Sequence, residues 1–546
     1  MITCAKQTVT PSGWWSSNGS VPTSDPDRLQ AGIFDLSRPT TIVDDEGTLS
    51  LAEGGQIIFG SDTGEHAVAA YAPAIRVTEL GDPRFCEDHG IQFPYVTGAM
   101  ANGIASEEIV IEMAKAGMLG FFGSAGLRPE RVKQAIDRIQ GEIGDKPYGF
   151  NLIHSPNEME LEMGIVELYL ERGIKLVEAS AYLALTLPVV RYRVTGIHRD
   201  AEGNVVTPNK IVAKVSRVEV ATQFLSPPPE KFLNQLLEAG HITAEQAEMA
   251  KEIPMAQDLT AEADSGGHTD NRPAIALLPT LISLRDRLQA EFNYPNPIRV
   301  GAAGGISTPT SAAAAFAMGA AFIVTGSVNQ ACVESGSSDT VRKLLAQAGQ
   351  ADIAMAPAAD MFEMGVKVQV LKRGTMFAMR AAKLYELYRK YNSLEELTSA
   401  EKDMVEKQYL RSSFAEAWES TKAFFQKADP AQITRGEADP KHKMALIFRS
   451  YLGQSSRWAN AGEPSRVVDY QIWCGPAMGA FNEWVKDTFL EQPENRKVVT
   501  VAFNILYGAA VTQRVNHLKS QGIRIAPELC RVVPQQPEEL TNRISS

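Results

Sequence analysis

The chain has 546 residues, a hydrophobic content of 44% that is ordinary for a globular protein, a formal net charge of −12 and an isoelectric point near 5.4. That length exceeds what one compact core usually holds, and the acidic balance excludes general nucleic-acid binding, which needs a dominant basic surface. The five cysteines, Cys4, Cys86, Cys332, Cys474 and Cys530, are widely spaced and form no CxxC pair, so neither a disulfide framework nor a zinc site is expected, and a reducing, cytoplasmic compartment fits.

The opening MITCAKQTVTPSGWWSSNGS lacks the apolar core of a signal peptide, and no later stretch reads as a membrane span. Residues 1 to about 45 are rich in Ser, Pro, Gly and Thr, which predicts a loop-like arm anchored by Trp14 and Trp15. The runs TIVDDEGTLSLAEGG, GQIIFG and PAIRVTEL then predict short strands joined by glycine turns. Residues 1–90 are thus an arm and a small β-containing segment.

A βα rhythm follows. Strands are predicted at Phe93 to Thr97, Leu119 to Phe122, Tyr148 to Ile153, Lys175 to Ala179 and Lys210 to Val215. The rhythm continues near Ala256 to Ala263, at Ile298 to Ala303 and at Ala321 to Thr325. Eight such units predict an α/β fold, a (β/α)8 TIM barrel over residues 91–345. Two excursions interrupt it, a hairpin in RYRVTGIHRDAEGNVVTPN and a helical insertion from Ser216 to Ile253. Ser106 and Thr308 are expected helix N-caps, and Gly117 and Gly319 expected stops. The apolar run Ala312 to Val324 is shorter than the roughly 18 residues a membrane span needs and reads as a barrel helix. Beyond about Asp352 strand signals cease, which predicts a mostly helical C-terminal domain over residues 346–546. Its segment Thr375 to Tyr388 puts Phe377, Ala381, Leu384 and Tyr388 on one stripe, and Ser393 to Glu396 and Thr398 to Glu401 read as capping boxes.

The groups able to do chemistry fall at the C-terminal ends of the predicted strands, where barrel enzymes assemble their sites. Gly98, Ala99 and Met100 are small or flexible enough for a flat ring to lie against the backbone. Asn151 ends the third strand and Lys214 the fifth, placed to bond a ring edge and to stabilise negative charge on it. Ser265, Gly266 and Gly267 form a bend after the sixth strand. Gly304 and Gly305 after the seventh, with Thr325, Gly326 and Ser327 after the eighth, form a phosphate cup. Together they describe a mononucleotide lying across the barrel mouth. His268 follows the Gly-Gly bend, and its imidazole suits proton transfer near neutral pH, although a structural histidine fits the position equally well. His154 is a weaker candidate. No HExxH, GxSxG or Walker loop is present, so hydrolase and kinase chemistry lacks a motif.

These motifs, Gly98-Ala99-Met100, Asp264-Ser265-Gly266-Gly267-His268, Gly304-Gly305 and Thr325-Gly326-Ser327, resemble those of the 2-nitropropane dioxygenase-like flavoenzymes. That superfamily includes nitronate monooxygenases and flavin-dependent enoyl-acyl-carrier-protein reductases. Asp264-Ser265 departs from the glutamate and alanine often found there. The extension MAPAADMFEMGVKVQVLKRGTMFAMRAAKLYELY further resembles the PfaD family, trans-acting enoyl reductases of polyunsaturated fatty acid and polyketide synthases. The resemblance implies FMN as cofactor, NADPH as reductant and enoyl thioesters on acyl carrier protein domains as substrate. It also implies His268 as proton donor, Asn151 and Lys214 as residues that tune the flavin, and a homodimer. A carrier-docking face is expected at Lys372, Arg373, Arg380, Lys383 and Lys390, because attraction between two acidic proteins needs a local basic surface. The competing readings are an oxygen-using nitronate monooxygenase and a non-catalytic flavin- or acyl-binding component of a megasynthase.

Overall fold

In the computed structural model, which describes residues 2–4, 13–60, 63–154 and 159–545, eight parallel strands close into a barrel. They are β1 (Tyr95–Thr97), β2 (Leu119–Phe122), β3 (Gly149–Ile153), β4 (Leu176–Ser180), β5 (Lys210–Val215), β6 (Asp258–Glu262), β7 (Arg299–Ala303) and β8 (Ile323–Thr325). Closure comes from β8 pairing with β1, with Ile323 opposite Tyr95. The strands read as near-continuous apolar runs because helices cover one face and the barrel interior the other. Ser106 and Thr308 cap the helices Glu107–Lys115 and Pro309–Ala317 as expected, and the predicted hairpin forms between His198–Arg199 and Val205–Val206.

Most charged residues of the barrel strands stand at or near strand ends, with Glu178 in the middle of β4 as an exception. At the N-terminal end, Asp258 and Arg299 face each other across β6 and β7, with Arg299 Nε donating to Asp258 Oδ1 at 2.6 Å and His89 Nε2 2.8 Å from Oδ2. Burial opposes the charge on Asp258, but His89 and Arg299 outweigh it and hold its pKa at about 2. A depressed carboxylate pKa contributes stability that is present above its ordinary value near 4 and is lost as the pH falls through the folded value. That contribution amounts to roughly 2 kcal/mol. Urea midpoints should therefore drop between about pH 4 and pH 2, with a smaller drop in Asp258→Asn; an equal drop would mean that other carboxylates set the acid limit.

The N-terminal segment forms a five-stranded antiparallel sheet, in the order Thr48–Ala52, Thr40–Asp45, His66–Ala72, Gly13–Ser16, Gln56–Phe59. Two expectations change here. The supposed arm supplies a strand whose Trp15 is fully buried and donates from Nε1 to Gly54 O at 2.9 Å. The last strand is His66–Ala72, whereas PAIRVTEL holds a loop and a 3-10 turn, because Pro73 lacks the N–H that a ladder requires.

The C-terminal region packs into two cores. Residues from Ala356 to Leu452 build a cluster of their own, while residues from Tyr470 to Leu540 join the barrel core. Strands do not cease at Asp352, since Ile353–Pro357 and Lys367–Leu371 form a hairpin. Thr398 caps the next helix with a full capping box, but Ser393 starts none; Glu396 instead accepts from the Asn392 N–H. The helix Val498–Ser520 is long and apolar enough to cross a membrane, and sequence reading passed over it. It is a core helix, 78% of its apolar window being buried, and it packs on Pro309–Ala317.

Candidate active site

At the C-terminal ends of the strands lies a cavity of about 530 Å³, within the usual range for small-molecule sites. Gly98, Ala99, Met100, Asn151, Lys214, Ser265, Gly266, Gly267, His268, Gly304, Gly305, Thr325, Gly326 and Ser327 all line it, and so does His154.

The cup residues leave room for an anion. Gly304 has φ +81°, and a Cβ there would stand 2.7 Å from the Ala263 carbonyl carbon, so only glycine fits. Gly305 and Gly326 have no neighbouring atom within 4 Å of where a Cβ would stand, which keeps their backbone open to a ligand. Thr325 is different: its hydroxyl donates to Tyr95 Oη and its carbonyl accepts from Gly98, so both are engaged within the protein. Ser327 Oγ accepts from the Gly475 N–H. Asn151 Nδ2 is committed to Glu178 O and Ser180 Oγ, which leaves Oδ1 as what it can offer a ligand.

Lys214 lies between two carboxylates, 3.4 Å from Glu178 Oε2 and 3.5 Å from Glu262 Oε1. Burial disfavours its charge, but Glu178 and Glu262 outweigh that and raise its pKa, so the ammonium persists. Burial also raises the pKa of Glu178, with Lys214 opposing. Glu178 Oε2 accepts from the Ala99 N–H at 3.0 Å, fixing the loop after β1, while Oε1 is buried with no donor among the described residues. Sequence reading singled out neither acid. The available signal was a glutamate inside the apolar run Leu176–Ser180, where a continuous strand has no reason to carry one.

His268 sits on a two-residue strand, Gly267–His268, that pairs antiparallel with Lys367–Leu371. The bend is held from both sides. Asp264 Oδ1 accepts from Asn271 Nδ2 and from Gln369 Nε2, which gives the unusual aspartate an anchoring part. A Cβ on Gly266 would stand 3.0 Å from the backbone of Cys474, so the bend also needs its glycine for close approach. His268 Nε2 lies 3.1 Å from Asp360 Oδ1 in the loop after the first post-barrel strand. Burial lowers the imidazole pKa, but the bond to Asp360 and its charge outweigh this and raise it above 6.5. In Asp360→Asn the raising partner is lost, so NMR titration of His268 should give a lower pKa than in the parent protein; an unchanged titration would show that Asp360 does not control it.

The C-terminal region supplies part of the wall, through Trp473, Gly475 and the helix Pro440–Ala461. Four of the five cations expected to dock a carrier are paired with carboxylates of the chain itself. Arg380 pairs with the fully buried Asp469, which also accepts from the Tyr451 hydroxyl, and its guanidinium lies over the Tyr409 ring. Lys383 pairs with Glu386, Lys390 with Glu401, and Arg373 with Asp352. Two of these acids, Asp469 and Glu401, come from later elements and one, Asp352, from before the stretch, while Glu386 lies on the same helix.

Residues 83–417 match the nitronate monooxygenase family, and residues 391–470 match the inserted helical domain of acyl-carrier-protein S-malonyltransferase. The chain is 48% identical over 501 residues to a component of the polyunsaturated fatty acid synthase of Thraustochytrium sp., covering 90% of this chain and 33% of that protein. It is 47% identical over 438 residues to polyketide biosynthesis protein PksE of Bacillus subtilis, covering 80% of this chain and 57% of that protein. Among solved structures, the enoyl reductase domain of MlnA from the macrolactin biosynthesis cluster of Bacillus amyloliquefaciens aligns with a TM-score of 0.78 at 41% identity, over 81% of this chain and 100% of that one. The chain therefore spans only a third to little more than half of the two curated relatives.

Proposed function

The chain belongs to the nitronate monooxygenase family, in its PfaD branch, and on that premise we propose that it is an FMN-dependent enoyl reductase. It would act in trans on trans-2-enoyl thioesters presented by acyl carrier protein domains, with NADPH as reductant, in polyunsaturated fatty acid or polyketide synthesis. The observation that carries this reading is that one cavity combines an open glycine cup with an imidazole held by a carboxylate.

Gly304, Gly305, Gly326 and Ser327 would hold the FMN phosphate with main-chain groups, and Gly98 to Met100 would back the ring. Bound FMN supplies hydride transfer from a nicotinamide to a carbon–carbon double bond. Asn151 Oδ1 orients a ring edge. Lys214 keeps its proton between Glu178 and Glu262, so the barrel centre presents a fixed positive charge toward the ring. His268, whose imidazolium form Asp360 favours, donates a proton at the α-carbon of the thioester. The helical wall similar to the insert of a carrier-protein transferase supports a carrier-borne substrate.

Anaerobic addition of NADPH to the purified protein should bleach a flavin spectrum, and a trans-2-enoyl thioester should restore it. Oxidation by nitronates with oxygen, and none by enoyl thioesters, would assign the monooxygenase reaction instead. Failure to bind FMN even on reconstitution would overturn both and leave a non-catalytic component.

A further inference from the structure

The helix Pro440–Ala461 lines the cavity with Arg449, Gly453, Ser456 and Arg457. Residues 449, 453 and 457 are four apart and share one face, with the two arginines about 12 Å apart along the axis. Arg449 is committed, its Nε donating to Ala359 O at 2.8 Å and its guanidinium facing Glu363 at 3.2 Å. Ser456 Oγ accepts from Asn102 Nδ2.

Arg457 differs. It is exposed, and its guanidinium lies 5.5 Å from the centroid of the Phe424 ring. Lys214, His154, His268 and Arg449, the other basic side chains lining the cavity, are each matched by a carboxylate. Arg457 has no acidic partner among the described residues. Contact with an aromatic face steadies the guanidinium without neutralising it, and its planar fork suits the oxygens of a phosphate. Gly453, one turn back on the same face, has no atom within 4 Å of where a Cβ would stand. Packing therefore does not require a glycine in the middle of this helix, and its absent side chain leaves room beside Arg457.

We propose that Arg457 is the anchor of a phosphate subsite at the cavity rim, and that the phosphate it takes is that of a phosphopantetheinyl thioester. The choice of reactant rests on the reductase reading, and it is favoured because this helix lies within the segment similar to the insert of a carrier-protein transferase. The arm would cross the rim at Arg457 and run inward toward His268.

The test is a calorimetric titration of the full chain, which needs no turnover. On the parent protein 4′-phosphopantetheine should bind about tenfold or more tightly than pantetheine, as expected for a charge-assisted phosphate contact. In Arg457→Ala and Arg457→Gln that ratio should fall toward one, with melting temperatures unchanged because the side chain is exposed. The preference for 2′-phospho-AMP over AMP should not change. A retained phosphopantetheine ratio in both variants overturns the proposal, and so does loss of the 2′-phospho-AMP preference alone, which would assign Arg457 to the dinucleotide. If the protein proves not to reduce enoyl thioesters while the phosphopantetheine ratio still depends on Arg457, the reductase reading fails and the subsite stands.

Discussion

Lys214→Met is expected to cost about 3–5 kcal/mol of stability, the usual consequence of removing one partner from a buried ion pair. The lysine side chain is 13% exposed, Glu262 19% and Glu178 not at all, so removal leaves two carboxylates close together in a mostly buried site. Repulsion and desolvation then act together. Adding Glu178→Gln to Lys214→Met should recover part of the loss, since one buried charge is neutralised while the amide can still accept from Ala99. Urea midpoints of the parent, the two single variants and the double variant give the coupling directly. A parent-like midpoint for Lys214→Met would show that water or rearrangement satisfies both acids. The sign with pH follows from the raised lysine pKa: the contribution is complete below the ordinary value of 10.5 and is lost as the pH rises through the higher folded value.

His268→Ala should lower enoyl reduction by about 10²–10⁴-fold, the range for loss of a positioned general acid. The cofactor spectrum should persist, because the cup is built from main chain of the loops after β7 and β8 and does not depend on the imidazole. His268 is one-third exposed, its ring nitrogen held by Asp360, so truncation removes few packing contacts. Stopped-flow measurement separates the halves of the reaction: reduction by NADPH should continue at close to the parent rate while reoxidation by the enoyl thioester slows. Unchanged reoxidation would take His268 out of the mechanism and leave its bond to Asp360 as a clasp between barrel and hairpin.

The eight strands, their order and the glycine-ended loops were legible in the sequence because each is a local signal. An apolar run, a Gly-Gly bend and a Thr308 cap occupy a few consecutive residues, and the barrel topology then brings all eight loop ends to one face. The fourteen candidate residues meet in one cavity for that reason. What the chain could not disclose locally are partners chosen by tertiary contact. Asp360 lies 92 positions from His268, and Asp469 lies 89 from Arg380, so the acid that tunes one group and the acid that silences the other leave no trace in spacing. The same holds for the apolar helix Val498–Ser520, whose hydrophobicity is explained by the barrel helices and N-terminal elements it packs against. Charge on the helix Phe377–Lys390 was visible in the sequence; whether that charge was free was decided by packing, because an ion pair depends on which elements the fold brings within a few ångströms. By that measure the fold cancelled Arg380 and left Arg457 unmatched at the cavity rim.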